Sequence, residues 1–356
     1  MAPKPKYPLT SLYLYLSDRC NLNCSHCWIS PKSFDAPETP LPLAALENAI
    51  EQARPLGLAS VKLTGGEPLL HPHWKELIAM PAMEGVNISV ETNGTLIDDA
   101  AAESFQNSAV DQVAVSIDAA SPDIHDRIRG KRGAFRRAVA GVEALSRAGV
   151  NIQIIFTLQR QNALEIDKVI ALCKDLGAAS LKVNNLLPCG RGKDAFEQKQ
   201  NLDLSEMKAL YRKVEAEHPR SNGFTIVFDL PIAFRSLASI TQDGICECRV
   251  LNILSVLANG DLSICGIGQA YPNLRMGNVF ESEIAFVWEN DRILNSLRNG
   301  LPGKLKGACG GCIFKFQCMG GCRANAYALT GDFFAPFFLC EALRDSGQFP
   351  FSRRID

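Results

Sequence analysis

Residues 12–27 read Leu12-Tyr13-Leu14-Tyr15-Leu16-Ser17-Asp18-Arg19-Cys20-Asn21-Leu22-Asn23-Cys24-Ser25-His26-Cys27, and the fold turns on them. The run over 12–17 alternates and is rich in Leu and Tyr, which predicts a strand. That strand delivers three thiols, with gaps of three and two residues, into the loop that follows. Soft thiolates at this spacing suit part of an iron–sulfur cube. A [4Fe-4S] cluster takes four ligands, so three cysteines leave one iron open to a substrate or cofactor. A second array, Cys309, Cys312, Cys318, Cys322 and Cys340, lies near the C-terminus. Two arrays predict a redox enzyme with more than one cluster.

The chain has 356 residues, enough to bury a large core in one or two domains. With 37 basic and 38 acidic side chains the net charge is -1, which gives no reason to expect nucleic acid or an anionic membrane as partner. Charges or turn residues break every apolar run before it reaches spanning length. The start, Met1-Ala2-Pro3-Lys4-Pro5-Lys6, lacks the apolar stretch of a secretory signal, so a cytoplasmic location is expected. Thirteen cysteines in such a chain favour metal over disulfides, with iron–sulfur ahead of zinc. For the C-terminal array the Cys309-x2-Cys312 pair would also suit a zinc knuckle.

Outward from the first strand, a helix is expected from Leu43 to Arg54. Strands follow at Ala59–Leu63, Val86–Val90, Val113–Ile117, 150–157 and 180–184, with helices near Asp98–Phe105, 134–148 and 162–176. Six strand-then-helix units over about 190 residues predict parallel β/α packing. A closed eight-unit barrel needs about 250 residues, so the expected fold is α/β, a partial (β/α)6 TIM barrel. Beyond about 245 the rhythm changes to short strands, glycine turns and cysteines. The expected division is 1–235 for the barrel and 236–356 for a cysteine-rich domain.

Cys20-x3-Cys24-x2-Cys27 after the first strand, with Gly65-Gly66-Glu67-Pro68 after the second, resembles the paired signature of radical S-adenosylmethionine (SAM) enzymes. The resemblance implies that SAM's methionine amino and carboxylate groups chelate the open iron, and that Gly65, Gly66, Glu67 and Pro68 receive the amine. It implies that one electron from the reduced cluster cleaves the sulfonium carbon–sulfur bond, and that the resulting 5'-deoxyadenosyl radical takes a substrate hydrogen. Ser116 and Asp118 after the fourth strand, and Glu91 and Asn93 after the third, are further expected SAM contacts. Strand-end capping is the alternative for Ser116 and Asp118. His26 and Trp28 are expected beside the cluster. His125-Asp126-Arg127-Ile128-Arg129-Gly130 resembles a stretch of the peptide-modifying branch, which implies charges that shape the substrate mouth, with surface ion pairs as the ordinary reading. Arg191, in Pro188-Cys189-Gly190-Arg191-Gly192, is expected to reach SAM or a substrate carboxylate through its forked donors.

The spacing Cys248-x11-Gly260-x4-Cys265, then Cys309-x2-Cys312-x5-Cys318-x3-Cys322, then Cys340, resembles the SPASM extension. That resemblance implies two auxiliary [4Fe-4S] clusters, three in all. One takes Cys309, Cys312, Cys318 and Cys340; the other takes Cys248, Cys265 and Cys322, with Cys246 as fourth ligand. Cys246 departs from the family pattern by standing only two positions before Cys248, and without it an open site would remain. Eleven ligands leave two cysteines: Cys173, expected in a helical core, and Cys189 in a rim loop.

SPASM enzymes most often modify ribosomally made peptides, which makes a radical SAM peptide maturase the leading expectation. Its implied partners are a precursor peptide, a flavodoxin- or ferredoxin-like reductant and a separate peptide-recognition protein, since only 19 residues precede Cys20. The runner-up is haem or tetrapyrrole side-chain modification, because Gly320–Asp332 resembles the haem-pathway branch. Oxidation of another small molecule and a non-catalytic iron–sulfur electron-transfer protein remain alternatives. Gly266 after Cys265, where sulfatase maturases usually carry an aspartate, counts against that activity.

Overall fold

The computed structural model describes residues 6–80, 83–218, 223–243 and 250–355. Six strands of the main sheet follow one another in sequence and in space: β1 (Ser11–Ser17), β2 (Ser60–Gly65), β3 (Asn87–Thr92), β4 (Val110–Ser116), β5 (Ile152–Leu158) and β6 (Ser180–Asn185). All five pairings are parallel. Register aligns Leu12 with Val61, Val61 with Ile88, Val90 with Val113, Val113 with Ile152, and Ile154 with Leu181. Since strand side chains alternate between faces, these residues form one buried apolar surface. Burying each such side chain contributes roughly 1.5–3 kcal/mol. The intervening residues make the other face polar: Tyr13, Lys62, Thr64, Glu91, Gln153 and Lys182, all half-buried.

Helices α1 (Leu43–Ala53), α2 (Trp74–Ala79), α3 (Asp99–Gln106), α4 (Pro122–Arg129), α5 (Ala134–Arg147) and α6 (Ile166–Asp175) occupy the crossovers. The α5 helix buries Ala134, Ala138, Gly141, Val142 and Leu145, a stripe at helical spacing. A Cβ at Gly141 would lie 2.4 Å from the Gly94 carbonyl oxygen, so glycine lets α5 approach the loop after β3. The short helices α2 and α4 were not expected as elements. For α4 the cues were Pro122 at its first turn and Gly130 past its end, with φ +69°.

The sheet extends beyond the expected six strands. Thr225–Phe228 (β7) follows β6, while Ile253–Val256 (β8) joins the free edge of β1 in parallel, Ser11 opposite Ile253. Asp261–Ser263 (β9) and Arg275–Asn278 (β10) then add antiparallel. The result is a mixed, ten-stranded sheet with linear order, and no pairing among the described residues closes it into a ring. Packing therefore groups the chain differently from a cut at 235/236. Residues 6–80 and 83–201, with 223–227 and 252–291, make one compact unit; 202–218, 228–243, 250–251 and 292–355 make a second. No helix among the described residues is long and apolar enough to cross a membrane.

Candidate active site

The cysteine loop leaves β1 at Ser17 and is clamped from several sides. Ser17 Oγ (2.8 Å), the Asp18 N–H (2.6 Å) and Arg19 Nε (2.8 Å) all donate to the Glu38 carboxylate. Further on, Asn23 N–H donates to Arg129 O (3.1 Å) and Ser25 N–H to Ile128 O (2.9 Å). The last carbonyls of a helix have no intrahelical partner, so the C-terminus of α4 and the cysteine loop satisfy one another. Gly130 permits this contact, because a Cβ there would sit 2.4 Å from Asn23 O. On another side Arg191 Nε donates to Cys24 O (2.9 Å) and Nη1 to Pro31 O (3.4 Å). Arg191, expected at the substrate or SAM, is thus directed in this structure to the loop's backbone.

The three thiols are free, Cys20 and Cys24 buried and Cys27 half-buried. Donors point at their sulfurs: Leu22 N–H to Cys20 Sγ (3.4 Å), Asn93 Nδ2 to Cys20 Sγ (3.8 Å) and Arg129 Nη1 to Cys24 Sγ (3.7 Å). Burial, then the neighbouring Glu67 carboxylate, pushes the Cys20 thiol up to about 12. Burial also raises Cys24, against the pull of Arg129. Such thiols stay protonated until a metal displaces the proton. Free thiols with donors aimed at sulfur fit an iron–sulfur cluster.

The glycine turn sits against the same loop. Gly65 has φ +131°, and a Cβ on Gly66 would lie 2.0 Å from Arg19 O. Gly66 N–H donates to Ser17 O (2.7 Å) and Glu67 N–H to Arg19 O (2.9 Å). Glu67 is fully buried and accepts from Thr92 Oγ1 (2.7 Å), Asn93 N–H (2.8 Å) and Leu69 N–H (3.2 Å). Burial outweighs these donors and raises its carboxyl. Pro68 begins a single 3-10 turn.

Glu91 lies on the polar sheet face and pairs with Lys62 at 2.7 Å. Burial pushes its carboxyl up, but Lys62 and Lys182 outweigh it and hold the group low. Ser116 ends β4, half-buried. Asp118 is fully buried, with Oδ2 2.8 Å from Arg129 Nε and 3.7 Å from His26 Nε2. Its Oδ1 accepts the Thr157 N–H at 2.9 Å. His125 and Arg129, read from sequence as charges at the substrate mouth or in surface ion pairs, are 1% and 5% exposed, because α4 turns them inward under the cysteine loop. Sequence reasoning also passed over Asn21 and Thr95, whose amide and hydroxyl bond at 2.8 Å while Asn93 Nδ2 donates to Asn21 Oδ1 at 2.8 Å. Their spacing carries no signal, since they meet only across the loops. Trp28 packs with Cys27 on Tyr15, Ile29 and Leu257.

In the second unit Cys309, Cys312, Cys318 and Cys340 line one pocket with Ile232 and Phe349. Phe337 N–H donates to Cys309 Sγ (3.2 Å) and Phe314 N–H to Cys312 Sγ (3.4 Å). A hydrogen bond from Cys340 holds the Cys309 thiol down at about 7. Cys322 caps the helix Arg323–Thr330 and accepts the Asn325 N–H at 3.4 Å. Cys265 lies in the first unit, where Gly266 N–H donates to Tyr15 Oη at 2.8 Å. Cys246 and Cys248 lie outside the described residues. Cys173 is buried in α6 and Cys189 is buried in its loop.

Two family models match this chain: the radical SAM superfamily over residues 14–173 and an iron–sulfur cluster-binding domain, SPASM, over 246–313. The AdoMet-dependent heme synthase of Methanosarcina barkeri is 32% identical over 336 residues, covering 89% of this chain and 92% of that protein. The PqqA peptide cyclase of Gluconobacter oxydans is 25% identical over 327 residues, covering 91% and 88%. SuiB of Streptococcus suis, solved with S-adenosylmethionine, shares the fold with a TM-score of 0.74 at 20% identity, covering 94% of this chain and 77% of SuiB. Fold and site together define a SAM-binding iron–sulfur oxidoreductase. The chain belongs to the radical SAM superfamily, carries a C-terminal SPASM module, and generates a 5'-deoxyadenosyl radical to act on its substrate.

Proposed function

We propose that this enzyme oxidatively modifies a side chain of haem or a related tetrapyrrole. The observation that carries the reading is the 32% identity, over nearly the whole of both chains, to an AdoMet-dependent heme synthase. This reverses the order that the SPASM resemblance implied, which put a precursor peptide first. The second reading, a peptide substrate, draws on the full-length similarity to a PqqA peptide cyclase, at lower identity.

Under this proposal Cys20, Cys24 and Cys27 hold the radical cluster, and the Gly65–Pro68 turn receives SAM's methionine amine. SAM and the cluster, bound there, would supply the radical chemistry for hydrogen abstraction from the substrate. The chain's own contribution is positioning. Glu67 ties the glycine turn to the end of β3, and Asn93 joins that strand end to the cysteine loop. Arg191 braces the loop from the far side. On the polar sheet face Lys62, paired with Glu91, and Lys182 offer positive charge to an anionic substrate. Cys309, Cys312, Cys318 and Cys340 would hold one auxiliary [4Fe-4S] cluster, and Cys246, Cys248, Cys265 and Cys322 a second, making three. A flavodoxin- or ferredoxin-like protein would supply the electron.

The test is anaerobic incubation of reconstituted enzyme with SAM, a low-potential reductant and a carboxylate-bearing iron porphyrin. The expected result is 5'-deoxyadenosine formed above the porphyrin-free rate and a changed porphyrin mass. An unchanged porphyrin, with a mass change instead in a short peptide encoded beside the enzyme, would overturn the tetrapyrrole reading for the peptide one.

A further inference from the structure

We propose that Arg129 and Asp118 are positioning residues that set the reduction potential of the N-terminal cluster, Arg129 by donating to Cys24 and Asp118 by fixing and partly neutralising that guanidinium. The proposal rests on Cys24 being a cluster ligand.

Arg129 is 5% exposed and closes α4, whose final carbonyls hold the cysteine loop. Its guanidinium spans two groups: Nη1 lies 3.7 Å from Cys24 Sγ and Nε 2.8 Å from Asp118 Oδ2. Asp118 cannot swing away. Its Oδ1 accepts from Thr157 N–H (2.9 Å), its N–H donates to His125 Nδ1 (3.2 Å), and its carbonyl accepts from Asn162 Nδ2 (2.9 Å). Three elements thus aim one buried cation at one sulfur.

Reduction adds an electron to the cluster and increases negative charge on its thiolates. A donor with full positive charge, desolvated and close to the sulfur, stabilises the reduced state more than the oxidised one. A carboxylate behind that donor works the other way, offsetting part of the cation's field. The two residues therefore act on the potential with opposite signs, although each supports the same local packing. Opposite signs separate an electrostatic role from a structural one.

The experiment is a redox titration of the full-length, anaerobically reconstituted enzyme, followed by electron paramagnetic resonance. The signal that changes on adding SAM reports the N-terminal cluster. Arg129→Gln is expected to shift the one-electron equilibrium about tenfold against reduction, ~59 mV more negative. Asp118→Asn is expected to shift it towards reduction, and Arg129→Lys to fall between wild type and Arg129→Gln. Shifts of the same sign in Arg129→Gln and Asp118→Asn, or none in either at full iron content, overturn the proposal. Should Arg129→Gln bind less iron, Arg129→Lys and Asp118→Asn carry the test, and wild-type potentials in both overturn it. Retention of the SAM-responsive signal in Cys24→Ala overturns the ligand assignment beneath it, and the proposal with it.

Discussion

The buried carboxylate of Glu67 accepts the backbone N–H of Asn93 at 2.8 Å, so one charge joins the glycine turn after β2 to the end of β3. Thr92 Oγ1 and Leu69 N–H donate to the same carboxylate. Glu67→Ala leaves these three buried donors without their acceptor. At about 1–3 kcal/mol for an unsatisfied buried group, the expected loss is about 3 kcal/mol or more in urea unfolding. SAM binding, measured by calorimetry, is expected to weaken with it. Glu67→Gln restores shape but turns one of the two acceptor oxygens into a donor, and is expected to recover only part of the loss.

Gly66→Ala brings a Cβ to 2.0 Å from Arg19 O and 2.6 Å from Arg19 C, both backbone atoms with little room to yield. The expected cost is about 3 kcal/mol, at the upper end for overpacking, with loss of SAM binding. Gly85→Ala is the control. It meets nothing within 4 Å, and its φ of +71° costs only ~1–2 kcal/mol. Equal melting temperatures for the two variants would contradict the cradle.

His125 sets a pH dependence. Burial, then Arg129, lowers its pKa to about 4, and its Nδ1 accepts the Asp118 N–H. An unfolded histidine titrates near 6.5. The folded value is the lower one, so the neutral ring's contribution is complete above pH 6.5 and is lost as pH falls towards 4. Between pH 6.5 and 5 the expected loss is about 2 kcal/mol. Subtracting the stability of His125→Phe from that of wild type at each pH isolates this term from acid lability of the clusters. A flat difference would refute the assignment.

Arg323 is fully buried beside Cys322 and donates to Phe333 O (2.9 Å), Ala335 O (2.7 Å) and Gly320 O. One planar fork thus holds two chain segments around the C-terminal cysteines. Arg323→Ala is expected to cost about 3 kcal/mol or more and to lower the iron bound per chain while sparing the SAM-responsive signal. Arg323→Lys cannot reproduce the fork, so it is expected to rescue little. Full iron content in Arg323→Ala would count against this role.

Lys182 shares the polar sheet face with Lys62 and Glu91, and its charge helps hold the Glu91 carboxyl low. Under the tetrapyrrole reading Lys182→Met removes a cation that meets a substrate carboxylate. The expected effect is about tenfold weaker porphyrin binding, roughly 1.4 kcal/mol, with SAM affinity unchanged. Porphyrin titration followed by absorbance reads it directly, and unchanged affinity would remove Lys182 from the substrate site.

What could be read from the chain alone was whatever repeats locally. Alternating Leu and Tyr gave β1, the strand–helix rhythm gave the six parallel strands, and Cys20, Cys24 and Cys27 together with Gly65–Pro68 carried the family resemblance that implied the chemistry. Each is a short-range pattern written in consecutive residues. Tertiary structure alone decided the rest. That β8 pairs with β1, that His125 and Arg129 turn inward beneath Cys24, and that Arg191 faces the cysteine loop's backbone all depend on contacts between residues about 100 to 240 positions apart. Such contacts follow from which buried donors and acceptors must find one another once the sheet has formed, and local sequence holds no trace of that accounting.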